Sequence, residues 1–362
     1  MKKRIAILAN HSGGLYDFRK DLIAELKKYA SVTVAVPHND RWDELLHLAD
    51  RVIELPIDRR GMNPLHDSKL FHQYRKILRE VKPDLVLTYT IKPNIYGGFA
   101  CRLLKIPYAV NITGLGTAFQ NRGPLRALVS VMYRIGLKKA NVVFFENAGN
   151  METLLNEGIV AQRQCKLLPG AGVNLEHYTP APYPGEAEPV RFLFIGRVMA
   201  EKGVDELFAA MERLCGEGIR CCLDVLGGYE EDYAQKIESY TAQGWLHYHG
   251  YQQDVRPFIA QSHCFVLPSW HEGMANTNLE CAAMGRPLIT SRIHGCMEAV
   301  IEEKSGLLCE PKNADSLYDA MRQFCELPNA QREAMGLAGR RHMEEAFDKK
   351  RVIEITLEGL DQ

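Results

Sequence analysis

Residues 269–287, SWHEGMANTNLECAAMGRP, are the most informative segment of this sequence for both its fold and its candidate site. An apolar run, residues 265–267, comes before them, and another, Leu288–Ser291, comes after. Between the runs, a Gly-containing loop leads into a short helical pattern that Gly285 and Pro287 terminate. The order strand, loop, helix, turn, strand is that of an open α/β sheet, in which ligands bind at the carboxyl ends of strands. We therefore expect a ligand site in this loop.

The loop and its helix carry two glutamates eight positions apart, Glu272 and Glu280. Backbone N–H groups at the start of such a helix have no helical partner and favour a phosphate. A carboxylate on each side of that phosphate could accept hydrogen bonds from sugar hydroxyls. Two glutamates at this spacing are more often a solvated helix face, but the position after a buried strand favours a pocket for a nucleotide sugar.

The composition is typical of a soluble globular protein with room for two α/β domains. The 362 residues are 46% apolar and 25% charged. The ten cysteines include no metal-type CxxC pair and no disulfide framework, which predicts a reducing cytoplasm. The short apolar run at residues 5–9 predicts a first strand rather than a signal peptide, and no run of about eighteen apolar residues predicts a membrane span.

Charge is divided unequally between the two halves. Residues 1–180 carry 26 Lys or Arg and 16 Asp or Glu, whereas residues 181–362 carry 18 and 29. Between Asp84 and Glu146 the sequence has eight cations and no acidic residue. This asymmetry predicts a negatively charged partner for the first half. No nucleic-acid-binding motif accompanies it, so nucleic acid is not the expected partner.

Strand-like runs alternate with helical patterns along the whole chain, which predicts parallel sheets with right-handed crossovers. A segment with four prolines, residues 180–189, predicts a connector between two domains. The predicted fold class is therefore α/β, with two Rossmann-like domains facing each other across a cleft. The strand-like runs are residues 4–9, 32–36, 85–88, 109–112 and 142–145 in the first half, and residues 191–195, 222–226, 264–267 and 288–291 in the second.

Two cations follow the run at residues 191–195, in Gly196-Arg197 and Lys202-Gly203. Gly196 permits a close approach of the backbone to a ligand. A leaving diphosphate gains negative charge as its bond to a sugar breaks, and fixed cations that bind more tightly at that moment lower the barrier. An isolated Arg and Lys are more often surface cations. Their place at a strand end beside the Glu272 loop favours a diphosphate site.

A weaker motif, His11-Ser12-Gly13-Gly14, follows the first strand. Gly13 and Gly14 could form an anion-binding turn or simply a tight turn. No strand is followed by Gly-x-Gly-x-x-Gly, which argues against a dinucleotide-dependent dehydrogenase. No Asp-x-Asp occurs, so neither a metal nor another cofactor is predicted.

These motifs together resemble the retaining glycosyltransferases of family four, which have a GT-B fold. The similarity extends to residues 169–174, which resemble the family's interdomain Gly-Val-Asp/Asn segment. It implies an acceptor domain over residues 1–180, a nucleotide-sugar domain over 181–345, and a helix over 346–362 that returns to the first domain. It also implies transfer with retention and without a metal.

The resemblance assigns roles residue by residue. Glu272, Arg197 and Lys202 would be the catalytic residues. The donor would be bound by Gly13, Gly14, Gly196, Arg197, Lys202, Glu272, Gly273, Met274 and Glu280, with the two cations on the diphosphate, Glu280 on the ribose and Glu272 on the sugar.

The sequence also departs from the family. Where many members have Gly-Gly-x-x-Glu, this chain has His294-Gly295-Cys296-Met297-Glu298. This change leaves the role of Glu298 open and could give His294 a contact with the donor sugar. We expect His11 and His294 to be structural rather than catalytic.

Within the family, the first half resembles a subgroup that acts on polyprenyl-diphosphate-linked sugars. The resemblance rests on residues 14–19, GLYDFR, and 114–119, GLGTAF. It implies a cytoplasmic, peripherally membrane-bound enzyme that moves an N-acetylhexosamine from a UDP-sugar to an undecaprenyl-diphosphate-linked saccharide. The product would enter a bacterial surface polysaccharide or a glycoprotein glycan.

The helical pattern at residues 124–140 predicts how the first half meets a membrane. Arg126, Arg134 and Lys138 fall within about a third of its circumference, with apolar Leu125, Leu128, Val129 and Met132 elsewhere. Cations near an anionic leaflet contribute about 1 kcal/mol each. Arg19, Lys92 and Arg122 are candidates for an acceptor diphosphate. Ordinary surface patches are the alternative.

Three other functions remain open from the sequence. A UDP-N-acetylglucosamine epimerase has the same fold but needs no basic, apolar acceptor face. A transferase with a soluble acceptor, or a nucleotide-sugar sensor without activity, would also bind the donor. Incubation with donor alone separates an epimerase from a transferase.

Overall fold

The computed structural model describes residues 2–58, 63–120, 123–186 and 189–361. The chain divides into two compact units. The first unit comprises Met1–Ala171 together with Val352–Gln362, and the second comprises Gly172–Arg351. The chain thus changes unit after Ala171, nine residues before residue 180, where the first domain was predicted to end.

Thirteen strands lie in the described residues, and every named pairing between them is parallel. They are β1 (Lys3–Leu8), β2 (Ala30–Val36), β3 (Arg51–Glu54), β4 (Leu85–Tyr89), β5 (Tyr108–Ile112), β6 (Val142–Phe145), β7 (Cys165–Leu167), β8 (Val190–Ile195), β9 (Cys221–Leu226), β10 (Leu246–Gly250), β11 (Cys264–Leu267), β12 (Leu288–Ser291) and β13 (Gly306–Cys309).

Thirteen α-helices alternate with these strands in the described residues. They are α1 (Ser12–Lys27), α2 (Trp42–Leu48), α3 (Pro64–Val81), α4 (Gly98–Leu104), α5 (Pro124–Leu137), α6 (Ala148–Asn156), α7 (Val204–Gly216), α8 (Ala234–Ala242), α9 (Arg256–Gln261), α10 (Asn276–Ala283), α11 (Ala314–Glu326), α12 (Asn329–Ala346) and α13 (Lys349–Leu360). A π-helical turn, Pro93–Gly97, precedes α4.

The first unit is built on a seven-stranded sheet in the order β3-β2-β1-β4-β5-β6-β7. Its central strands are buried on both faces, which explains why they are continuous apolar runs. In β4, Leu85 and Leu87 pack into one core cluster, whereas Val86 packs into the cluster on the opposite face. The sheet therefore has a hydrophobic core on each side.

The second unit has a six-stranded sheet in the order β10-β9-β8-β11-β12-β13. The strand order reverses between β8 and β11, as it does between β1 and β4 in the first unit. In open sheets of this Rossmann type, ligands bind beyond the carboxyl ends of the strands at that reversal. Each unit therefore has one preferred position for a ligand.

Helix α13 completes the first unit. Val352 is buried and packs with Ala109 and Phe144 on the first sheet. At Gly359, a Cβ atom would come within 2.7 Å of the Phe144 ring, so only glycine allows this close contact. The predicted return of the C-terminal helix to the first domain is confirmed, with the helix at Lys349–Leu360.

Candidate functional site

The carboxyl ends of three strands in the second unit are packed backbone against backbone. Gly227, which follows β9, has a φ of +135°, and a Cβ there would lie 1.9 Å from the carbonyl oxygen of Gly196 after β8. Gly203 caps α7 with a φ of +72°, and its Cβ would lie 2.1 Å from the carbonyl oxygen of Pro268 after β11. Because Gly203 and Gly227 have no side chains, the backbones can approach this closely, and the loops after β8 and β11 lie side by side.

This packing brings Lys202 and Glu272 together, 70 positions apart in the sequence. The Lys202 ammonium forms an ion pair with the Glu272 carboxylate, and the hydroxyl of Ser269 donates to the same Glu272 oxygen at 2.7 Å. The two charged side chains are 20% and 12% exposed, so both remain in reach of a ligand. The predicted cation and the predicted sugar-binding carboxylate therefore lie in one cluster.

Arg197 lies at the same sheet edge but is more open to solvent. Its side chain is 51% exposed, and its guanidinium is 3.2 Å from the Glu230 carboxylate, which follows β9. An ion pair this exposed contributes little to stability because water screens it. Arg197 can therefore exchange Glu230 for a phosphate at small cost.

The loop between β11 and α10 is held from two sides. The backbone N–H of Trp270 donates to the carbonyl of Glu201, and its indole N–H donates to the Glu206 carboxylate at 3.1 Å. The Lys312 ammonium lies 4.4 Å from the centre of the Trp270 ring, within cation–π range. These contacts fix the backbone that carries Glu272.

His271 lies next to Glu272, with its Nε2 3.7 Å from the Glu201 carboxylate. Burial lowers the pKa of His271, while the charges of Glu201 and Glu272 act in the opposite direction. The imidazole therefore favours its neutral form more strongly than a solvated histidine.

Helix α10 follows the loop, and among the described residues no side chain caps its N-terminus. Gly273 and Met274 precede this end, as the motif predicts, and Ala275 occupies the cap position. Glu280 lies on the helix and is partly exposed. The amide oxygen of Asn276, in the first turn, is buried without a protein partner, which leaves a polar group for a ligand or water.

A second turn, at the end of β12, packs directly on the Glu272 loop. Gly295 has a φ of +90°, and a Cβ there would lie 2.6 Å from the carbonyl oxygen of Gly273 and 2.9 Å from that of Glu272. The Glu298 carboxylate accepts from the N–H of Gly295 at 2.7 Å and contacts Nδ1 of His294 at 2.9 Å. Glu298, whose role the sequence left open, thus organises this turn.

The N-terminal glycines lie inside a helix rather than in a separate turn. Helix α1 begins at Ser12, so Gly13 and Gly14 occupy its first turn. Nδ1 of His11 accepts from the N–H of Gly14 at 3.0 Å and caps the helix. A Cβ at Gly13 would be 3.1 Å from the His11 ring and 3.2 Å from the Asp40 side chain. The hydrogen bond from Gly14 gives His11 a structural role at the start of α1.

Arg19 lies in the interior of the first unit. Its guanidinium forms an ion pair with Glu146 and lies 5.0 Å from the centre of the Tyr89 ring, and the two charged side chains are only 8% and 7% exposed. Burial raises the pKa of Glu146, and the charge of Arg19 opposes this shift. Burial likewise raises the pKa of Tyr89 to about 12. Arg19, predicted to meet an acceptor diphosphate, is therefore almost fully buried and engaged by Glu146.

Lys92 is also paired inside the first unit. Its ammonium lies 2.7 Å from Asp67, and the hydroxyl of Tyr96 donates to the second Asp67 oxygen at 2.8 Å. The third residue proposed for an acceptor diphosphate, Arg122, lies outside the described residues.

Two of the predicted cations on α5 contact the protein itself. The guanidinium of Arg126 donates to the Glu157 carboxylate at 2.8 Å, and that of Arg134 donates to the Glu157 carbonyl at 2.8 Å. Lys138 and its neighbour Lys139 are exposed at the end of the helix.

The apolar face of α5 differs from the prediction. Val129 and Met132 are partly buried against the core, whereas a row of four apolar side chains is 38–58% exposed. This exposed row consists of Leu125, Leu128, Val131 and Ile135. Tyr133 and Gly136 face the core instead, because Gly136 packs against the backbone of Ile95.

Sequence reasoning missed several residues that support the site. Ser269, Trp270 and Lys312 position the Glu272 loop, and Glu230 holds Arg197. Ser269 and Trp270 are part of the motif itself, so they could have been named. Lys312 and Glu230 carry no local signal, because their contacts depend on the fold. In the described part of the chain, no helix is long and apolar enough to cross a membrane.

Each half of the chain matches a glycosyltransferase profile. The profile of "Glycosyl transferase 4-like" domains matches residues 4–147, and that of "Glycosyl transferases group 1" matches residues 189–326. The two matches occupy most of the first and second unit in turn.

Curated relatives match over most of the chain. One is the N,N'-diacetylbacillosaminyl-diphospho-undecaprenol alpha-1,3-N-acetylgalactosaminyltransferase of Campylobacter jejuni, 27% identical over 89% of each chain. Another is the UDP-Gal:alpha-D-GlcNAc-diphosphoundecaprenol alpha-1,3-galactosyltransferase of Escherichia coli, 26% identical over 75% of this chain and 74% of the relative.

Solved structures share the fold at low sequence identity. Anabaena Alr3699/HepE in complex with UDP and glucose has a TM-score of 0.82 at 16% identity, covering all of both chains. Sucrose-phosphate synthase from Thermosynechococcus elongatus has a TM-score of 0.81 at 19% identity, covering 99% of this chain and 98% of the other. With two sheets of Rossmann order and a glycosyltransferase profile on each, the chain belongs to the GT-B glycosyltransferases, with a 4-like domain followed by a group 1 domain.

Proposed function

We propose that this protein is a retaining glycosyltransferase that moves a sugar, an N-acetylhexosamine, from a UDP-sugar to an undecaprenyl-diphosphate-linked saccharide. The C. jejuni and E. coli relatives carry names that specify such lipid-linked acceptors, which supports the acceptor class. The reaction would belong to the assembly of a bacterial surface polysaccharide or of a glycoprotein glycan.

The observation that carries the proposal is the Lys202–Glu272 ion pair at the strand reversal of the second sheet. A bound diphosphate would compete with Glu272 for the Lys202 ammonium. Glu272, released from that cation, would accept a hydrogen bond from a hydroxyl of the donor sugar. Lys202 and Glu272 therefore neutralise each other without ligand, and present a cation and a carboxylate when the donor is bound.

Catalysis follows from where negative charge develops. As the sugar–phosphate bond breaks, the diphosphate gains charge, and Lys202 and Arg197 would hold it more tightly than in the ground state. The departing phosphate would then take the proton of the acceptor hydroxyl on the same face of the sugar, which retains the configuration. These two cations supply the positive charge, so the proposal needs no metal, and EDTA should leave turnover unchanged.

The exposed row on α5 supports a membrane-bound acceptor. Insertion of an exposed Leu or Ile side chain into the interface removes apolar surface from water and stabilises the bound state by up to about 1.5–3 kcal/mol. Lys138 and Lys139 at the end of the same helix would each add about 1 kcal/mol near an anionic leaflet. We propose that this face holds the enzyme peripherally at the cytoplasmic side of the membrane.

The test is release of nucleoside diphosphate from a panel of UDP-, GDP- and ADP-sugars, with and without a polyprenyl-diphosphate-linked amino sugar in detergent. We expect release only with the lipid acceptor, with a UDP-sugar preferred, and loss of release in Glu272→Gln. The matched control is Glu326→Gln, which makes the same change at an exposed Arg322 pair on α11.

Other outcomes would lead to different functions. Interconversion of the donor sugar without acceptor would support an epimerase, and release that depends on a free saccharide would support a soluble acceptor. Donor binding without turnover in any mixture would support a sensor.

A further inference from the structure

The turn that follows β12 contains a histidine whose orientation is set by a carboxylate. His294 is 46% exposed, and its Nδ1 lies 2.9 Å from one oxygen of Glu298. The other Glu298 oxygen accepts the backbone N–H of Gly295 at 2.7 Å. Both oxygens of Glu298 are therefore used within this turn.

The contact determines which ring nitrogen carries the proton. A carboxylate that accepts from Gly295 is an acceptor toward His294 as well, so Nδ1 of His294 has to donate. In the neutral imidazole, the other nitrogen, Nε2, then carries a lone pair and acts as an acceptor. Glu298 thereby presents His294 as a hydrogen-bond acceptor toward a ligand.

The turn is also fixed relative to the candidate sugar site. Gly295 lies so close to the carbonyl oxygens of Glu272 and Gly273 that a Cβ would clash with both, and its own carbonyl accepts from the N–H of Ala275. His294, the preceding residue, is held at the same edge of the sheet as Glu272. A sugar bound at Glu272 would therefore have a second acceptor nearby.

We propose that His294 selects the donor sugar by accepting a hydrogen bond from one of its hydroxyls at Nε2, and that Glu298 is the positioning residue that sets this tautomer. The inference rests on the proposed function, since it concerns the sugar part of the same donor site.

The experiment measures the affinity of the protein for UDP-sugars by calorimetry, which requires no turnover. The probes are the tightest-binding UDP-sugar of the panel and its deoxyfluoro analogues at each sugar hydroxyl, because fluorine cannot donate a hydrogen bond. We expect the analogue at the hydroxyl that His294 contacts to bind about tenfold more weakly than the parent, the size of one neutral hydrogen bond, besides any loss at the hydroxyl that Glu272 contacts. His294→Gly should abolish that difference at this position and leave the other positions unchanged.

Glu298→Gln provides a test that a merely structural role would not pass. Because the N–H of Gly295 needs the amide oxygen, the amide NH₂ would face His294 and donate to Nδ1, so Nε2 would carry the proton. The same analogue should then lose its disadvantage of about tenfold although the histidine is still present. His247→Asn, at an exposed histidine on the edge strand β10, is the control and should keep the wild-type pattern.

The inference is overturned if no hydroxyl position depends on His294, or if both variants weaken the parent and every analogue equally. It is also overturned if Glu298→Gln behaves like wild type while His294→Gly does not, since the tautomer would then be irrelevant. A His294-dependent preference in a protein that transfers no sugar would support the inference and contradict the proposed function.

Discussion

The two sheets share a strand order around their reversal points but use charge differently at their carboxyl edges. In the second unit, Lys202, Glu272 and Arg197 form pairs that solvent reaches, beside a loop that leaves a helix N-terminus uncapped. In the first unit, Arg19 and Glu146 form a pair that is almost fully buried against Tyr89.

This difference in burial indicates that the charged residues of the second sheet can bind a ligand, whereas the Arg19–Glu146 pair of the first sheet supports the fold. A buried ion pair cannot exchange its partners, because removing either charge leaves the other without compensation in a medium of low dielectric constant. A partly exposed pair can exchange its carboxylate for a phosphate, since water stabilises both charges in the meantime. The positive charge of the first half therefore does not by itself make a diphosphate site.

The first prediction concerns the buried Arg19–Glu146 pair of the first unit. We expect Arg19→Met to destabilise the first unit by about 3–5 kcal/mol, because Glu146 loses the buried guanidinium that compensates its charge. Hydrogen exchange of the β1 and β4 amides measures this unit separately. Arg4→Met, at a half-exposed pair with Asp84, is the control and should cost less than about 1 kcal/mol.

The double variant Arg19→Met, Glu146→Leu should recover most of the lost stability, because no uncompensated charge remains. If Arg19→Met were as stable as wild type, the Arg19–Glu146 pair would contribute no more to stability than the exposed Arg4–Asp84 pair.

At the other edge, the charge should matter for catalysis and not for folding. We expect Lys202→Met to lower kcat/KM by about 10²–10³, which is about 2.7–4 kcal/mol of transition-state stabilisation, with little change in unfolding. The control is Lys236→Met, at an exposed pair with Asp205 in the same unit. A large loss of stability with unchanged kcat/KM would reverse the roles that we assign to the two edges.

The membrane proposal predicts that the first unit acts through its outer helix face rather than through its buried charges. Leu128→Glu should lower binding to vesicles with anionic lipid by tenfold or more. The leucine side chain would stabilise the bound state by about 1.5–3 kcal/mol on entering the membrane, and the glutamate replaces it with a charge that anionic lipid repels. Cosedimentation measures the effect. Leu65→Glu, at an exposed leucine on α3, should bind like wild type, and equal losses in both variants would indicate a general charge effect.

The smallest expected effect is the pH dependence of stability that His271 causes, in the loop after β11. The pKa of His271 in the folded protein lies below its value of about 6.5 in the unfolded chain, so the unfolded chain takes up the proton first. Stability contributed by His271 is therefore complete above pH about 6.5 and is lost as the pH falls through the folded pKa.

We expect His271→Asn to match wild type at pH 7.5 and to lose less thermal stability on acidification to pH 5. Parallel losses in the two proteins would show that burial of this imidazole is unimportant.

The sequence was sufficient for the elements that depend on local pattern. Apolar runs predicted the central strands. The Glu272 loop and the Arg197–Lys202 segment were predicted to follow strands, and these strands, β11 and β8, are neighbours in the second sheet. The Arg19–Glu146 ion pair was not predictable, because the two residues are 127 positions apart and no local pattern links them. The apolar face of α5 was predicted only in part, because its pattern allows two apolar stripes: Leu125 and Leu128 are exposed, whereas Val129 and Met132 pack against the core. Contact of Gly136 with the Ile95 backbone decides between them, and that contact exists only in the folded unit.

Helix α13 has a consequence for the order in which the protein can form on the ribosome. Its residues from Val352 onward pack into the core of the first unit, yet they are synthesised after the whole second unit. The N-terminal sheet can collapse early, as the leading part of a nascent chain usually does, but part of its apolar surface stays uncovered until the last helix emerges. Completion of the first unit therefore waits for the second, and a chain released early would expose the surface around Ala109 and Phe144 to chaperones and proteases.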